Sequence, residues 1–479
     1  MPSPTEKQAT LTGIARTPIQ PAYLAKPRSQ LTVAERAEAG RALRVTAPRE
    51  AHAAWAPGPD RADPVDLVLA AEAGRIERLL PIRHGRMVAS PFAFYRGAAA
   101  IMAADLAATP STGYIVQACG DCHLLNFGAF ATPERRVIFD INDFDETFPA
   151  PWEWDLKRLA TSFVVASRAN GHRPAEAKAA AQAVARSYGQ HMAELSTRKA
   201  LDVWYSYLDW EELVDNTGDA VLRKRRSAVL QKALQRDAVA EFVKLGHFVD
   251  GQARIKDSHP LIYHPDADDD PEFAEVITAN LRRYRASLAP ERRVLYDRYE
   301  LADVAIKVVG VGSVGTLCAI ALFFAAEDDA LFLQVKQVAP SVLEPYVGLS
   351  PFSSDGERVV FGQRLMQAAS DVFLGHMVGV RERHYYVRQL RDVKIRPMVE
   401  IYTPANMADY ARSCGIALAR AHARSGDPAI LAGYIGKGRA QADAIAAFAV
   451  AYADQNERDH AALVDAVRDG RVEVQFEEA

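Results

Sequence analysis

Apolar residues recur at helical spacing through most of the first hundred positions. Residues 1–30 are Pro-, Ser- and Thr-rich without periodicity and read as a loose tail. "LTVAERAEAGRALR" then opens a helix, with Thr32 as its N-cap and Glu35 three positions on. "PVDLVLAAEAGRIERLLPIRHGRM" reads as helical up to Pro81, and "SPFAFYRGAAAIMAADLAA" as one buried helix capped by Ser90. The pattern then changes. "GYIVQACGD" is a short apolar strand, and "NFGAFATPERRVIFDINDFDET" reads as a hairpin whose second strand is Val137 to Ile141. Helical periodicity returns over 151–300, interrupted by a β-like patch, "ARIKDSHPLIYHP". From about 300 the period is two, through "DVAIKVVGVGSVGTLCAIALFFAAEDDALFLQVKQV". A helix over "GERVVFGQRLMQAASDVFLGHM", a strand over "HYYVRQLRDVK" and helices to the C-terminus complete the pattern. The alternation of helical and β blocks, without internal repeats, predicts an α+β protein.

Composition narrows the function classes. At 479 residues with 49% hydrophobic and 25% charged positions, the chain is an ordinary globular sequence with ample core. Its net charge of −4 supplies no field for nucleic acid or a membrane surface, and the basic run "RKRR" at 223–226 reads as a solvated helix face. The longest strongly apolar run, Leu317 to Ala326, is far short of the ~20 residues of a membrane span, and the N-terminus has no apolar signal core. A cytoplasmic protein is expected.

The chemistry-bearing residues concentrate in two places. In "ACGDCHLLNFGAF" the eye meets Cys119-x-x-Cys122 first. A redox pair of that spacing opens a helix, and a zinc site needs a second pair; here the chain runs toward a strand and Cys318 and Cys414 stand alone. The sulfurs are therefore expected to pack beside a loop whose chemistry lies in Asp121, His123 and Asn126. Asp140, Asn142, Asp143, Asp145 and Glu146 crowd the end of the next strand, where apolar neighbours hold them at a core edge. Such carboxylates repel unless a cation or donors offset them, so a hard-cation site is expected. Far downstream, Gly310-x-Gly312-x-x-Gly315 lies between two strand patterns. A dinucleotide fingerprint would continue into a helix; strand, Gly-rich turn, strand suits a flap over phosphates. Lys336 follows on a strand amid apolar neighbours and needs an anionic partner.

These parts resemble the protein-kinase-like fold. "GDCHLLN" is similar to the G-D-x-H-x-x-N loop of aminoglycoside and choline phosphotransferases, "NDFDE" to their metal-binding motif, and Asp155 in "WEWDLKRLA" to the acidic residue that steadies the catalytic loop. The resemblance implies a two-lobed fold with circularly permuted lobe order, because the catalytic loop here precedes the Gly-rich lobe. Across about residues 35–440, in stretches such as "PIRHGRMVASPFAFYRGAA", "FDINDFDET" and "RVVFGQRLMQAASD", the chain also resembles an uncharacterised bacterial family, domain of unknown function 2252.

Carried onto this sequence, the kinase resemblance implies that Asp121 positions an acceptor hydroxyl beside His123. Asn126 and Asp143 would hold Mg²⁺, with Asp145 or Asp140 as a further or rival ligand. Gly310, Gly312, Ser313 and Gly315 would form the flap and Lys336 would pair the nucleotide phosphates. Glu357 or Glu344 would pair with Lys336, and Tyr385 to Leu390, with Gln389, would serve as the adenine-binding hinge. Two departures stand out: Cys119 occupies the position of a usual histidine, and Phe361 sits in the middle of the helix expected to supply the glutamate. The expected organisation is a tail (1–30), a helical segment (31–115), a catalytic region (116–298), a nucleotide-binding β lobe (299–395) and C-terminal helices (396–479). The expected activity is transfer of a phosphoryl group from ATP·Mg²⁺ to a small-molecule or protein hydroxyl. Silent nucleotide binding, nucleotidyl transfer and metal-dependent phosphohydrolysis are the alternatives. Arg83, Arg86 and Arg96, in "PIRHGRM" and "FYRG", are expected to brace the acidic loop or to bind an anionic substrate.

Overall fold

The computed structural model of the chain describes residues 31–234, 238–259, 261–265, 273–308, 310, 312, 314–326, 329–380, 382–390 and 393–476. The tail at 1–30 and Ser313 of the expected flap lie outside them. The fold is mixed α+β. It begins with α1 (Val33–Thr46), α2 (Pro64–Ala70), α3 (Leu80–Val88), α4 (Pro91–Gly97) and α5 (Ala99–Ala107). Thr32 and Glu35 form the expected capping box on α1. Pro81 starts α3 instead of ending a helix: its fixed φ suits the first turn, and the preceding helix stops at Ala70 before a turn at Gly74. The expected single helix after Ser90 is two, broken at Ala98, whose backbone leaves the helical region.

β1 (Ile115–Ala118) pairs antiparallel with β4 (Phe148–Pro151), and between them β2 (Phe127–Ala131) pairs with β3 (Val137–Ile141). The helices α6 (Trp152–Ala169), α7 (Pro174–Leu195), α8 (Ala200–Tyr205), α9 (Trp210–Asp215), α10 (Ala220–Leu234) and α11 (Ala238–Leu245) follow, with β5 (Leu208–Asp209) joining β3. After β6 (Gly246–Val249), β7 (Gln252–Ile255), β8 (Ile262–Tyr263), α12 (Phe273–Ser287) and α13 (Pro290–Tyr296) come β9 (Glu300–Lys307), β10 (Cys318–Phe324) and β11 (Ala330–Val338). Next are α14 (Glu344–Val347), α15 (Asp355–Met366), β12 (Gly375–Val378), β13 (His384–Gln389) and β14 (Lys394–Ile395). The chain closes with α16 (Pro404–Ser425), α17 (Pro428–Ile435) and α18 (Arg439–Arg468).

A six-stranded sheet, ordered β12-β13-β11-β10-β9-β8, forms one body. The period of two explains its faces. Leu331, Leu333 and Val335 of β11 pack with Tyr385 and Val387 of β13 and with Ile277, Leu281 and Tyr284 of α12. The alternate positions carry Phe332, then Gln334 and Lys336, and the register sets Lys336 opposite Tyr386 and Gln334 opposite Arg388. The polar ends of β11 and β13 therefore share one face. Residues of α12 and α13, expected within the catalytic region, pack on this sheet instead. The larger core lies under β1–β4 and gathers α6, α7, α16 and α18 around Trp152, Leu159, Tyr188, Leu418 and Phe448. The first and last segments meet: Arg61 bridges Asp105 of α5 (2.8 Å) and Asp459 of α18 (2.6 Å). Among the described residues no helix is long and apolar enough to cross a membrane.

Candidate functional site

The loop from Cys119 to Asn126 is held from below. Gly120 has φ +81°, and a Cβ there would fall 2.2 Å from the carbonyl oxygen of Glu146, so no larger residue fits without moving the acidic segment. Asp155, in the first turn of α6, accepts the amides of Cys119 (2.7 Å) and Gly120 (3.0 Å) on its two oxygens. His422 of α16 lies 3.1 Å from the same carboxylate and is itself held by the Tyr188 hydroxyl at 3.0 Å. A buried anion thus fixes the backbone on which Asp121 is mounted.

Asp121 is partly exposed to the cleft. One oxygen receives Arg158 of α6, at 2.7 Å from Nε and 2.6 Å from Nη2. Burial works against the Arg158 charge, but Asp121 outweighs it and holds the guanidinium above its ordinary range. The other oxygen of Asp121 is 3.8 Å from His123 Nε2. Burial lowers the His123 imidazole to about 4, so it is neutral at pH 7. The Asn126 amide nitrogen donates to the Asp121 carbonyl (2.7 Å), and the Asn142 backbone N–H donates to the Asn126 carbonyl (2.7 Å). The loop and the end of β3 are thereby joined, and Asn126 stands beside the segment that carries Asp143.

Four aspartates of this region have different fates. Asp140 is fully buried and faces away from the cleft; Arg420 donates to both of its oxygens (2.7 and 2.8 Å), and the Ile141 and Ala368 amides complete the shell. It is a structural ion pair, which removes it as a rival metal ligand. Asp145 meets Lys336: the ammonium donates to one oxygen, and the Tyr386 hydroxyl donates to the other at 2.9 Å. Lys336 is only 3% exposed. Burial pulls its pKa down, but Asp145 reverses this and holds the ammonium above the usual lysine range. Asp121 has Arg158. Asp143 alone among the four has no basic partner among the described residues; it accepts only the Asp145 amide, at 3.3 Å.

The expected glutamate partner of Lys336 is not the one observed. Glu357 accepts from Ser353 at the start of α15, and Glu344 accepts the Ser350 amide at 3.0 Å. The helix contributes Arg358 instead, fully buried, whose guanidinium donates to the carbonyls of Asp145 (3.0 Å), Thr147 (2.7 Å) and Ala339 (2.8 Å). The hinge expectation also shifts. Tyr385 to Val387 are paired with strands on both sides, and the Gln389 amide donates to Asp371, so these backbone groups are already used. The chain passes from one body to the other just beyond them, where β14 pairs with β2.

The glycine turn lies across from the loop. Gly310 and Gly312 line the same cleft, of about 1330 Å³, as Asp121, His123, Asn126, Asp143 and Asp145. Arg75 donates to the carbonyls of Gly312 (2.7 Å) and Val314 (2.6 Å), Arg86 to that of Gly310, and the Ile76 amide to Gly315 at 2.7 Å. Gly315, at φ +90°, packs against Arg75 and is not on the cleft wall. Residues 119–145 and 310–336 are thus brought together although Lys336 and Asp145 are 191 positions apart.

Residues 75–466 match a family described as uncharacterized proteins conserved in bacteria, DUF2252. The chain belongs to that family. No curated protein and no solved structure gives a match. In this DUF2252 member the sulfurs of the opening loop are spent on packing. Cys119, Cys122 and Asp155 are the one group of His, Cys, Asp or Glu ligand atoms within 4.8 Å of one another among the described residues, but all three are buried. Asp155 is saturated by amides, and burial raises the Cys119 thiol well above its ordinary value and the Cys122 thiol to about 11. Both are free thiols.

Of two further cleft residues, local sequence reasoning placed Glu146 in the acidic cluster without a role and missed Arg388. Burial raises the Glu146 carboxyl to about 7, although the Val342 amide donates to it at 2.8 Å. Arg388, beside Tyr386 on β13, donates to Gln334 (2.9 Å) and to the Asn142 carbonyl (3.3 Å). The even-numbered alternation of β13 with β11 is the signal that would have placed Arg388 next to Lys336.

Proposed function

We propose that the cleft binds ATP with Mg²⁺ and transfers a phosphoryl group to a hydroxyl acceptor, on a kinase-like fold with permuted lobe order. One observation carries this reading. A glycine turn between the strands β9 and β10 and an Asp-x-His-x-x-Asn loop with a strand-end Asp-Phe line one cleft, and the buried lysine of the next strand reaches its wall through Asp145, although the two segments are far apart in sequence. That is the set phosphoryl-transfer enzymes use, with the lysine on the strand following the glycine hairpin.

Asp143 and Asn126 suit a hard cation, since both offer oxygen ligands to the cleft and Asp143 forms no ion pair among the described residues. Bound there, the cation would neutralise phosphate charge. Lys336 and Arg388 place positive charge on the sheet face above it. Asp121, tied to Arg158 through one oxygen, has the other to hold the acceptor hydroxyl in line. Neutral His123 beside it contributes no charge at pH 7.

A second reading is nucleotide binding without transfer. Its support is the partner of Lys336, which is Asp145 of the acidic segment and not a helix glutamate. ATP labelled separately at the α- and γ-phosphates, incubated with Mg²⁺ and cell extract, separates the readings. γ-Label transfer lost in Asp143→Ala supports the phosphotransferase. α-Label transfer points to nucleotidylation, and stabilisation by Mg·ATP without either transfer points to binding alone.

A further inference from the structure

The arginines around the cleft divide by what they hold. Arg83 is buried and paired with Glu72 (2.5 Å) and the Gly97 carbonyl (2.9 Å). Arg75 and Arg86 hold the glycine turn, and Arg158 holds Asp121. These are braces. Arg96 is different. It lies in the last turn of α4 directly after Tyr95, whose carbonyl accepts Arg158 Nη2 at 3.0 Å, so it is anchored one residue from the support of Asp121. Its side chain lines the cleft, its buried Nε has no hydrogen-bond partner, and no carboxylate pairs with it among the described residues. Arg396 lines the same cleft without a partner among the described residues. It follows β14, whose Ile395 pairs with Ala129 of β2, three residues beyond Asn126.

Two unpartnered guanidiniums therefore reach one cleft from the two sides of the catalytic loop. The Arg96 charge is depressed by burial first, with Arg396 adding to it and Asp121 and Glu400 opposing. The buried Arg96 Nε without an acceptor is costly; Arg396 is exposed, and an oxyanion between the two would satisfy the first and give both guanidiniums charge-assisted bonds.

We infer that Arg96 and Arg396 form the acceptor subsite and that the acceptor carries an oxyanion, phosphate or carboxylate, beside the hydroxyl presented to Asp121. This rests on the phosphotransferase reading and names the substrate class for it. An oxyanion held by the two arginines fixes the acceptor at one end and leaves its hydroxyl free to meet the unbonded oxygen of Asp121.

The test is calorimetric titration of the full chain with inorganic phosphate and, separately, acetate, each with and without a Mg²⁺-bound non-hydrolysable ATP analogue. Arg96→Gln and Arg396→Gln should each weaken binding of the preferred anion on the order of 10–100-fold, the usual size for loss of a charged hydrogen bond. Arg439→Gln, at an exposed distant site, should leave it unchanged. Binding of the analogue should be the same in all four proteins. Preference for phosphate or for acetate assigns the anion. Equal anion affinity in wild type and both cleft variants overturns the inference, as does a matching loss of analogue affinity, which would put the arginines on the nucleotide. Anion binding by a chain that does not bind the analogue at all sinks the phosphotransferase reading itself, and with it the acceptor role.

Discussion

Lys336 keeps its charge in a nearly dry position because Asp145 and Tyr386 meet it there. Removing one member of such a pair strands the other, while removing both does not. Asp145→Asn should therefore lower unfolding free energy by about 3 kcal/mol in urea titrations, and Lys336→Met combined with Asp145→Asn should recover most of that loss. Glu146 sets a pH dependence of its own. Burial lifts its folded pKa to about 7, above its value of 4.5 in the unfolded chain. Between those values the folded state holds the extra proton, so the stability it contributes is complete below 4.5 and is lost as pH rises through 7. Thermal melts from pH 5 to 8 should show a falling stability that Glu146→Gln flattens; identical slopes in both proteins would refute the assignment.

At the level of elements, the loop from Cys119 to Asn126 is only as well placed as its supports. Gly120→Ala forces a side chain onto the Glu146 carbonyl in a left-handed conformation, and should cost more than about 1 kcal/mol and misplace Asp121. Asp155→Asn keeps the shape but removes the anion that receives two amides and faces His422. It should cost about 1–3 kcal/mol by chemical denaturation, with a larger fractional loss in transfer rate than in nucleotide affinity. Elements also mark how far the sequence could be read. The loop was legible because Asp121, His123 and Asn126 fall within six positions, and β3 because its apolar run has clear ends. The break at Ala98 and the start at Pro81 were not, because an Ala-rich apolar run looks the same whether one helix or two bury it. The partner of Lys336 was invisible for a different reason. Glu357 and Glu344 are nearer in sequence, but the fold spends both on backbone amides and delivers Asp145 from 191 positions away. The sorting of arginines into braces and free donors likewise depends on which carboxylates and carbonyls the tertiary structure leaves over.

For the whole molecule, the cleft joins two bodies, the sheet with α12 and α13 and the helical body under β1–β4, whose larger core reaches the sheet at Val338 and Tyr386. A ligand touching both stabilises the folded chain by mass action, about 2.7 kcal/mol at a hundred times its dissociation constant. Thermal shift should then depend on Mg²⁺ and nucleotide together. The glycine turn shares the cleft with Asp121 despite its position late in the chain, and a nucleotide held there would lie between them. Calorimetric titration of Mg·ATP into wild type and Asp143→Ala, the variant's fold verified by circular dichroism, tests it most directly. Saturable binding by wild type, weakened in Asp143→Ala and no longer sensitive to Mg²⁺, is the expected result. No binding by wild type, or binding unchanged in the variant, would contradict a nucleotide–metal site in this cleft.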